Sequence, residues 1–426
     1  MTALLMFGGF ALLLILGVPI ALSLGVSTMA AIAGSPDITV SINTVAQRIF
    51  GGLDSTSIMA IAFFVLSGNL MTKGGISRRI CEFARSIIGG VRGGMALTLV
   101  LACAFFAALS GSAPATVVAI GTMLYGDMVR MGYPGDRTAG LLVVSGGLGP
   151  IIPPSIIMIV YSGVVSISVG KLFMAGLLPG IMLGVMMIIY CYIYAKKRGL
   201  GRGTFAGWKA VGKSFLRSFG ALVMPLIIIG GIVLGICTAT ESGILAIIYG
   251  ICYGFISKQL NIKKLWKSIE ESVAGAAQPM IIISFASLLA YVLTYYDMGT
   301  VVGNFMGSVT NNGHIILLLI FVIIFIAGMF IESTAILLML VPFFAPLISV
   351  YGFDPIHFAT VCIISLVLGG ISPPVGIVMY VVSSVTHTDL KRIISNIWPF
   401  IIIFSIGVLM VIFVPQVCTW LPSLMA

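Results

Sequence analysis

The chain has 426 residues, of which 60% are hydrophobic and 8% charged, against about 25% charged in an ordinary soluble domain. So few charges cannot cover a water-exposed surface, which excludes a water-soluble class and, despite a net charge of +10, a nucleic-acid binder. The seven cysteines (81, 103, 191, 237, 252, 362, 418) show no CxxC or metal spacing, which excludes a secreted disulfide scaffold. Apolar runs near 20 residues, without the alternating pattern of barrel strands, predict an all-α polytopic membrane protein.

In chain order the predicted spans cover 3–33 (open to division in two), 55–72, 139–165, 172–194, 219–236, 242–256, 272–296, 358–386 and 396–414. Residues 1–34 carry no charge, and no cleavable signal is expected. Asp54 is read as capping the helix at 55, and Glu241 in "TATESG" as a helix N-cap partner. Two further regions, 94–127 and 313–350, are apolar but broken in the middle by polar residues. His314, His357 and His387 are isolated and read as polar loop residues. Tyr295, Tyr296, Trp398 and Trp420 fit aromatic belts at the membrane surface.

The Lys and Arg residues fall into five clusters between the spans: 73–92, 130–137, 196–217, 258–267 and 391–392. If all are cytoplasmic, as the positive-inside rule expects, 20 of the 22 basic residues lie inside, and only Arg48 and Lys171 lie outside. The 94–127 region starts and ends among cytoplasmic charges, so it must enter and return as a re-entrant hairpin. The 313–350 region is flanked by 297–312 and 351–357, which contain no Lys or Arg, and must do so from the opposite side. The basic balance is thus a topology signal first, with anionic lipid as a lesser partner.

The two regions repeat one pattern. "LGPIIPPS" (148–155) returns as "LGGISPPV" (368–375), so that Pro153-Pro154 matches Pro373-Pro374 and Gly149 matches Gly369 at a displacement of 220; "GYP" (132–134) matches "GFDP" (352–355), Thr116 matches Thr334 at 218 and Gly94 matches Gly313 at 219. With opposite entrance sides this is an inverted-topology repeat of two re-entrant hairpins and two broken helices, the pattern of a mid-membrane site in secondary transporters. A Pro-Pro pair removes two N–H donors and leaves carbonyls unbonded, which are tolerated in hydrocarbon only where they line a cavity or hold a cation. Sodium suits such carbonyls and hydroxyls. The half-helix N-termini beyond each break suit an anion.

At the first hairpin's middle lie Ser110, Gly111, Ser112, Pro114 and Thr116; at the second's lie Glu332, Ser333 and Thr334. Glu332 is a carboxylate deep in an apolar run, a functional position by default, and two roles are open for it: contact with ion or substrate, or capping of the next half-helix. "GWKAVGKS" (207–214) satisfies the phosphate-loop pattern, but a basic loop precedes it, a membrane span follows it, and no Mg²⁺-binding Asp on a strand is in view. ATP is therefore not expected as the energy source.

The stretches "AQRIFGGLDS" (46–55), "SGNLMTKGGI" (67–76), "SGSAPAT" (110–116), "GLGPIIPPSIIMIVY" (147–161), "TATESG" (238–243), "GMFIEST" (328–334) and "GGISPPVGIVMYVVSS" (369–384) together resemble the large membrane subunit of tripartite ATP-independent periplasmic (TRAP) transporters. The family often has Asp where Glu332 stands and Thr-Pro-Thr-Glu where this chain has "TATE". The resemblance implies sodium-coupled uptake of an organic acid, such as sialic acid or a C4-dicarboxylate, across the bacterial inner membrane by an elevator-type fold. It implies as partners a small four-helix membrane subunit, expected as a separate chain, and a soluble periplasmic binding protein; no cofactor is expected beyond sodium as coupling ion. On this reading residues 1–50 are N-terminal scaffold, 51–170 the first repeat, 171–270 scaffold helices and basic loops, 271–390 the second repeat and 391–426 a C-terminal scaffold helix. One sodium site is expected among Ser110, Gly111, Ser112, Gly147, Gly149 and Pro150, and its symmetry mate among Gly328, Ser333, Thr334, Gly369, Gly370 and Ser372. Ser112, Thr116, Ser155 and Glu332 are expected to face substrate. The alternatives are a stand-alone sodium-coupled carboxylate symporter, a membrane-embedded enzyme, for which no catalytic constellation is in view, and a channel, disfavoured by two occluding hairpins.

Overall fold

The computed structural model describes residues 4–34, 40–199, 203, 205 and 207–425; the start of the first predicted span and Arg202 of the largest basic cluster lie outside the described residues. Among the described residues every regular element is a helix. By length and composition, five helices can cross a membrane alone: Val169–Lys197, Trp208–Val233, Ala239–Ile256, Ile262–Tyr295 and Leu390–Phe413. Two bent pairs, Ile58–Lys73 with Ile76–Ile88 (71°) and Met298–Val309 with Gly313–Gly328 (112°), raise the number to seven. The first apolar run divides at Gly17–Pro19, where Gly17 takes φ +81° and Pro19 starts Ile20–Ala33.

Polar residues stop and start the helices as their chemistry dictates. Thr238 and Glu241 form a reciprocal capping box, and Asn261 and Asp354 accept the first-turn amides of their helices. Two expectations are corrected here. The helix after Asp54 begins at Thr56 with Ser55 at its N-cap position and no side-chain cap bond, so Asp54 does not cap it. His314 and His357 are not loop residues: His314 lies in the first turn of Gly313–Gly328, and His357 is buried in the first turn of Pro355–Gly370, its Nε2 2.9 Å from the Val411 carbonyl oxygen.

Contacts place the five basic clusters at one end of the bundle. Lys73 pairs with Glu271 at 2.6 Å, Arg79 donates to the Arg217 carbonyl at 3.3 Å, and Arg137 and Arg198 both lie over the Tyr194 ring. Tyr125 bonds Thr388, just before Lys391, at 2.8 Å. The two exceptions sit at the other end. Arg48 stacks on Tyr291 at 4.4 Å, 20 residues and so about 30 Å along one helix from Glu271, the thickness of a bilayer's hydrocarbon core. Lys171 is separated from Lys196 by about 37 Å of helix Val169–Lys197.

The hairpins are opposed within this frame. The first consists of Gly94–Ser110 and Ala113–Arg130; its base is at the basic end and its tip about 24 Å inward. The second consists of Gly313–Gly328 and Ser333–Phe344, continued by Leu347–Tyr351. Its base is at the far end, where the His314 ring lies 5.6 Å from that of Phe413, about 33 Å along Leu390–Phe413 from Lys391. Each hairpin is followed by a broken helix, Gly135–Gly146 with Ile156–Val165 and Pro355–Gly370 with Ile377–Thr386, and both Pro-Pro bonds are cis. The second arm of each hairpin packs on the second half of the other repeat's broken helix, so the two repeats are interlocked.

The structure also adjusts the register of the repeat. Ser112 and Glu332 are both N-caps of second hairpin arms and are 220 apart, as the proline pairs are. Thr116 is the fourth residue of its arm and Thr334 the second of its own, so the Thr116–Thr334 match is out of step by two. The flank 297–312, which lacks Lys and Arg, contains a further helix, Met298–Val309.

Candidate functional site

The two expected ion-site sets are each brought together. In the first, Gly111 takes φ +61° at the hairpin tip, a conformation glycine adopts without cost, and a methyl there would come within 2.4 Å of the Pro154 carbonyl oxygen. A methyl at Gly149 would come within 2.7 Å of the Ser112 backbone. The tip therefore rests directly on the break. Ser110 Oγ lies 2.9 Å from Thr116 Oγ1, which donates to the Ser112 carbonyl at 2.8 Å. Gly147 faces Ile371, carried by the other break. In the second set, Gly328 and Gly369 touch backbone to backbone, with a methyl at Gly328 only 2.9 Å from the Gly369 Cα. Ser333 Oγ reaches toward the Leu366 carbonyl at 3.5 Å and abuts Gly370. Ser372 donates to Leu368 at 2.6 Å, and Met329 supplies the carbonyl that accepts from Val375 and Gly376.

Glu332 performs the capping role at the second tip. Its carboxylate accepts from the Ala335 amide at 3.1 Å and from Thr334 Oγ1 at 2.9 Å. It also lines a cavity of about 570 Å³ between the tips, so the capping carboxylate faces open space as well. Into this cavity point the first two residues of four half-helices: Ala113–Pro114, Ser333–Thr334, Ile156–Ile157 and Ile377–Val378. Four helix N-termini thus converge on one space with their positive dipole ends. Gly111, Ser112, Pro150 and Gly370 complete that wall, and the opposite wall is helix Ile262–Tyr295 through Gly275, Gln278, Pro279 and Ile282.

Thr116 and Ser155, expected to face substrate, do not line this cavity. Thr116 is fully buried behind the tip, and Ser155 is fully buried as the N-cap of Ile156–Val165, donating to Pro150 at 2.5 Å and accepting from Met158 at 3.2 Å. Their hydroxyls are already used to shape the tip and the break. Ser110, Gly147, Gly149, Gly328, Gly369 and Ser372 likewise lie behind the wall. Two residues were missed by the sequence reading. Gln278 is a polar side chain in an otherwise apolar run, "AGAAQPMIII", and that isolation was the available signal. Ser145, one turn before the first break, is fully buried with no hydrogen-bond partner among the described residues, and its displacement of 220 from Ser365 was the available signal.

A family profile described as "Tripartite ATP-independent periplasmic transporter, DctM component" matches residues 7–417. The chain is 34% identical over 440 residues to a C4-dicarboxylate TRAP transporter large permease of Rhodobacter capsulatus, covering the whole of both. It is 36% identical to an isethionate TRAP transporter permease of Oleidesulfovibrio alaskensis, covering 97% of this chain and 65% of that longer protein, and 32% identical to a sialic acid TRAP large permease of Vibrio cholerae over 90% of each. In fold it is similar to the solved YdaH transporter of Alcanivorax borkumensis, with a TM-score of 0.67, 13% identity and coverage of 95% and 97% of the two chains.

Proposed function

Because the chain belongs to the DctM component family of tripartite ATP-independent periplasmic transporters, we propose that it is the large permease for an organic anion, driven by sodium, in a bacterial inner membrane. A small membrane subunit and a periplasmic binding protein would complete the system. The observation that carries this reading is the cavity between the opposed tips, where four half-helix N-termini meet one carboxylate. The N-termini favour an anion, and relatives named for C4-dicarboxylates, isethionate and sialic acid share a carboxylate or sulfonate. The hydroxyls and broken-helix carbonyls behind the wall favour sodium on the other side of each tip. One break thereby holds a cation and an anion against each other, and neither binds well alone. That mutual dependence is the physical content of coupling.

The interlocked repeats support an elevator reading of transport. The hairpins and broken helices pack on one another across the repeat axis, which suits a body that would move as a unit against Ala239–Ile256 and Ile262–Tyr295. Two sodium ions with a monocarboxylate carry one net charge, contributing about 2.3 kcal/mol per 100 mV. Proteoliposomes holding this chain with its small subunit should take up anion when an inward sodium gradient is imposed and binding protein is added. Uptake at the same rate without binding protein would favour a stand-alone symporter, and uptake indifferent to sodium would overturn the coupling.

A further inference from the structure

A second cavity of about 490 Å³ lies between Arg48 at the end of Ile42–Gly51, helix Ile262–Tyr295 and the half-helices Ile156–Val165 and Ser333–Phe344. Arg48 is the only charged residue in its lining, beside the polar groups of Ser55, Ser287, Tyr291 and Thr294. The guanidinium stacks on Tyr291, and among the described residues no carboxylate pairs with it. Asp54 is exposed and does not line the space. Ser287 fixes the arm by donating to the Arg48 carbonyl at 2.6 Å, and its Cβ would lie within 2.5 Å of a methyl at Gly52. The arm is therefore fixed at its backbone, with its fork over an aromatic ring and no carboxylate against it among the described residues, the form of arginine suited to a planar anion.

The position of this cavity relative to the tip cavity gives it meaning. The two share no lining residue but abut at Ile282 and Ile283 and run along the same elements. From Ile282 to Tyr291 is about 14 Å of helix, from Ile157 to Gly163 about 9 Å, and from Thr334 to Pro342 about 12 Å. All three steps lead toward the end of the bundle that lacks the basic clusters. We propose that the Arg48 cavity is a receiving site for the carboxylate or sulfonate of the incoming anion at the face opposite the basic end, before the anion reaches the hairpin tips. A displacement of the hairpin body by roughly 10–14 Å along Ile262–Tyr295 would carry Glu332–Thr334 to the level of Ser287 and Tyr291, so the receiving groups and the tips share substrate in one position of the elevator and part in the other. The inference rests on the anion-permease reading above.

The test is uptake by the reconstituted three-part system, using whichever of succinate, isethionate and sialic acid the wild type transports. Arg48→Ala is expected to raise the half-saturating anion concentration tenfold or more. Half-saturating sodium, measured at saturating anion, should remain unchanged, because the hydroxyls and breaks that favour sodium are intact. Arg48→Lys keeps the charge without the fork and is expected to fall between the two; it also carries the test if the alanine variant does not fold. A half-saturating anion concentration within twofold of wild type in the folded variants, or a lost maximal rate at unchanged half-saturation, would overturn the receiving site. A wild type that takes up no anion would instead overturn the permease reading.

Discussion

Glu332 does two things with one carboxylate: it caps the half-helix Ser333–Phe344 and faces the cavity. The two uses separate by substitution. Glu332→Gln keeps an oxygen that accepts the Ala335 amide but removes the charge, so thermal stability should hold while half-saturating sodium rises about fivefold, equivalent to about 1 kcal/mol. Glu332→Ala should in addition lose about 1 kcal/mol of stability with the cap, seen as a lower melting temperature in detergent. Gln278 faces the same cavity from the opposite wall. If it bonds the charged substrate, Gln278→Ala should raise the half-saturating anion concentration about tenfold, as for a hydrogen bond to an ion, and leave half-saturating sodium unchanged when anion is saturating. The polar tips and the Pro-Pro breaks were legible in the sequence because serine, glutamate and proline contradict an apolar run wherever they face. Gln278 and Arg48 were not, because their importance depends on which neighbour each helix face meets. Thr116 and Ser155 lie off the cavity wall for the same reason: a hydroxyl near a tip can face inward to bond its own backbone, as both do.

At the scale of elements, the hairpins are seated by glycine. Gly328 and Gly369 approach so closely that a methyl on either would meet the other's backbone within 3 Å, and no rotamer relieves a backbone clash. Gly328→Ala should therefore push the second hairpin off its broken helix, costing on the order of 2 kcal/mol in stability and reducing transport. Gly184→Ala, where the nearest atom is a flexible leucine methyl at 3.8 Å, should do neither; equal melting temperatures for the two variants would contradict the seating. Elements were read from sequence where apolar length decided them, as in Val169–Lys197 and Leu390–Phe413. Met298–Val309, a short helix bent 112° from its successor, was hidden because its composition resembles a connection between spans. The repeat register slipped at Thr116 and Thr334 because residue identity was matched where helix-cap position decides.

The whole molecule is organised by two opposed directions: a first hairpin based at the basic end and a second at the far end, with their tips meeting in between. That opposition was readable from Lys and Arg placement, since charge decides which end of a span stays in water. Whether sodium binds at both tips is the claim on which coupling stands. The most direct measurement is the sodium dependence of uptake in proteoliposomes for wild type, Ser112→Ala and Ser333→Ala. The account predicts a several-fold rise in half-saturating sodium in each variant, at a half-saturating anion concentration that rises less. Unchanged sodium dependence in both folded variants would contradict it.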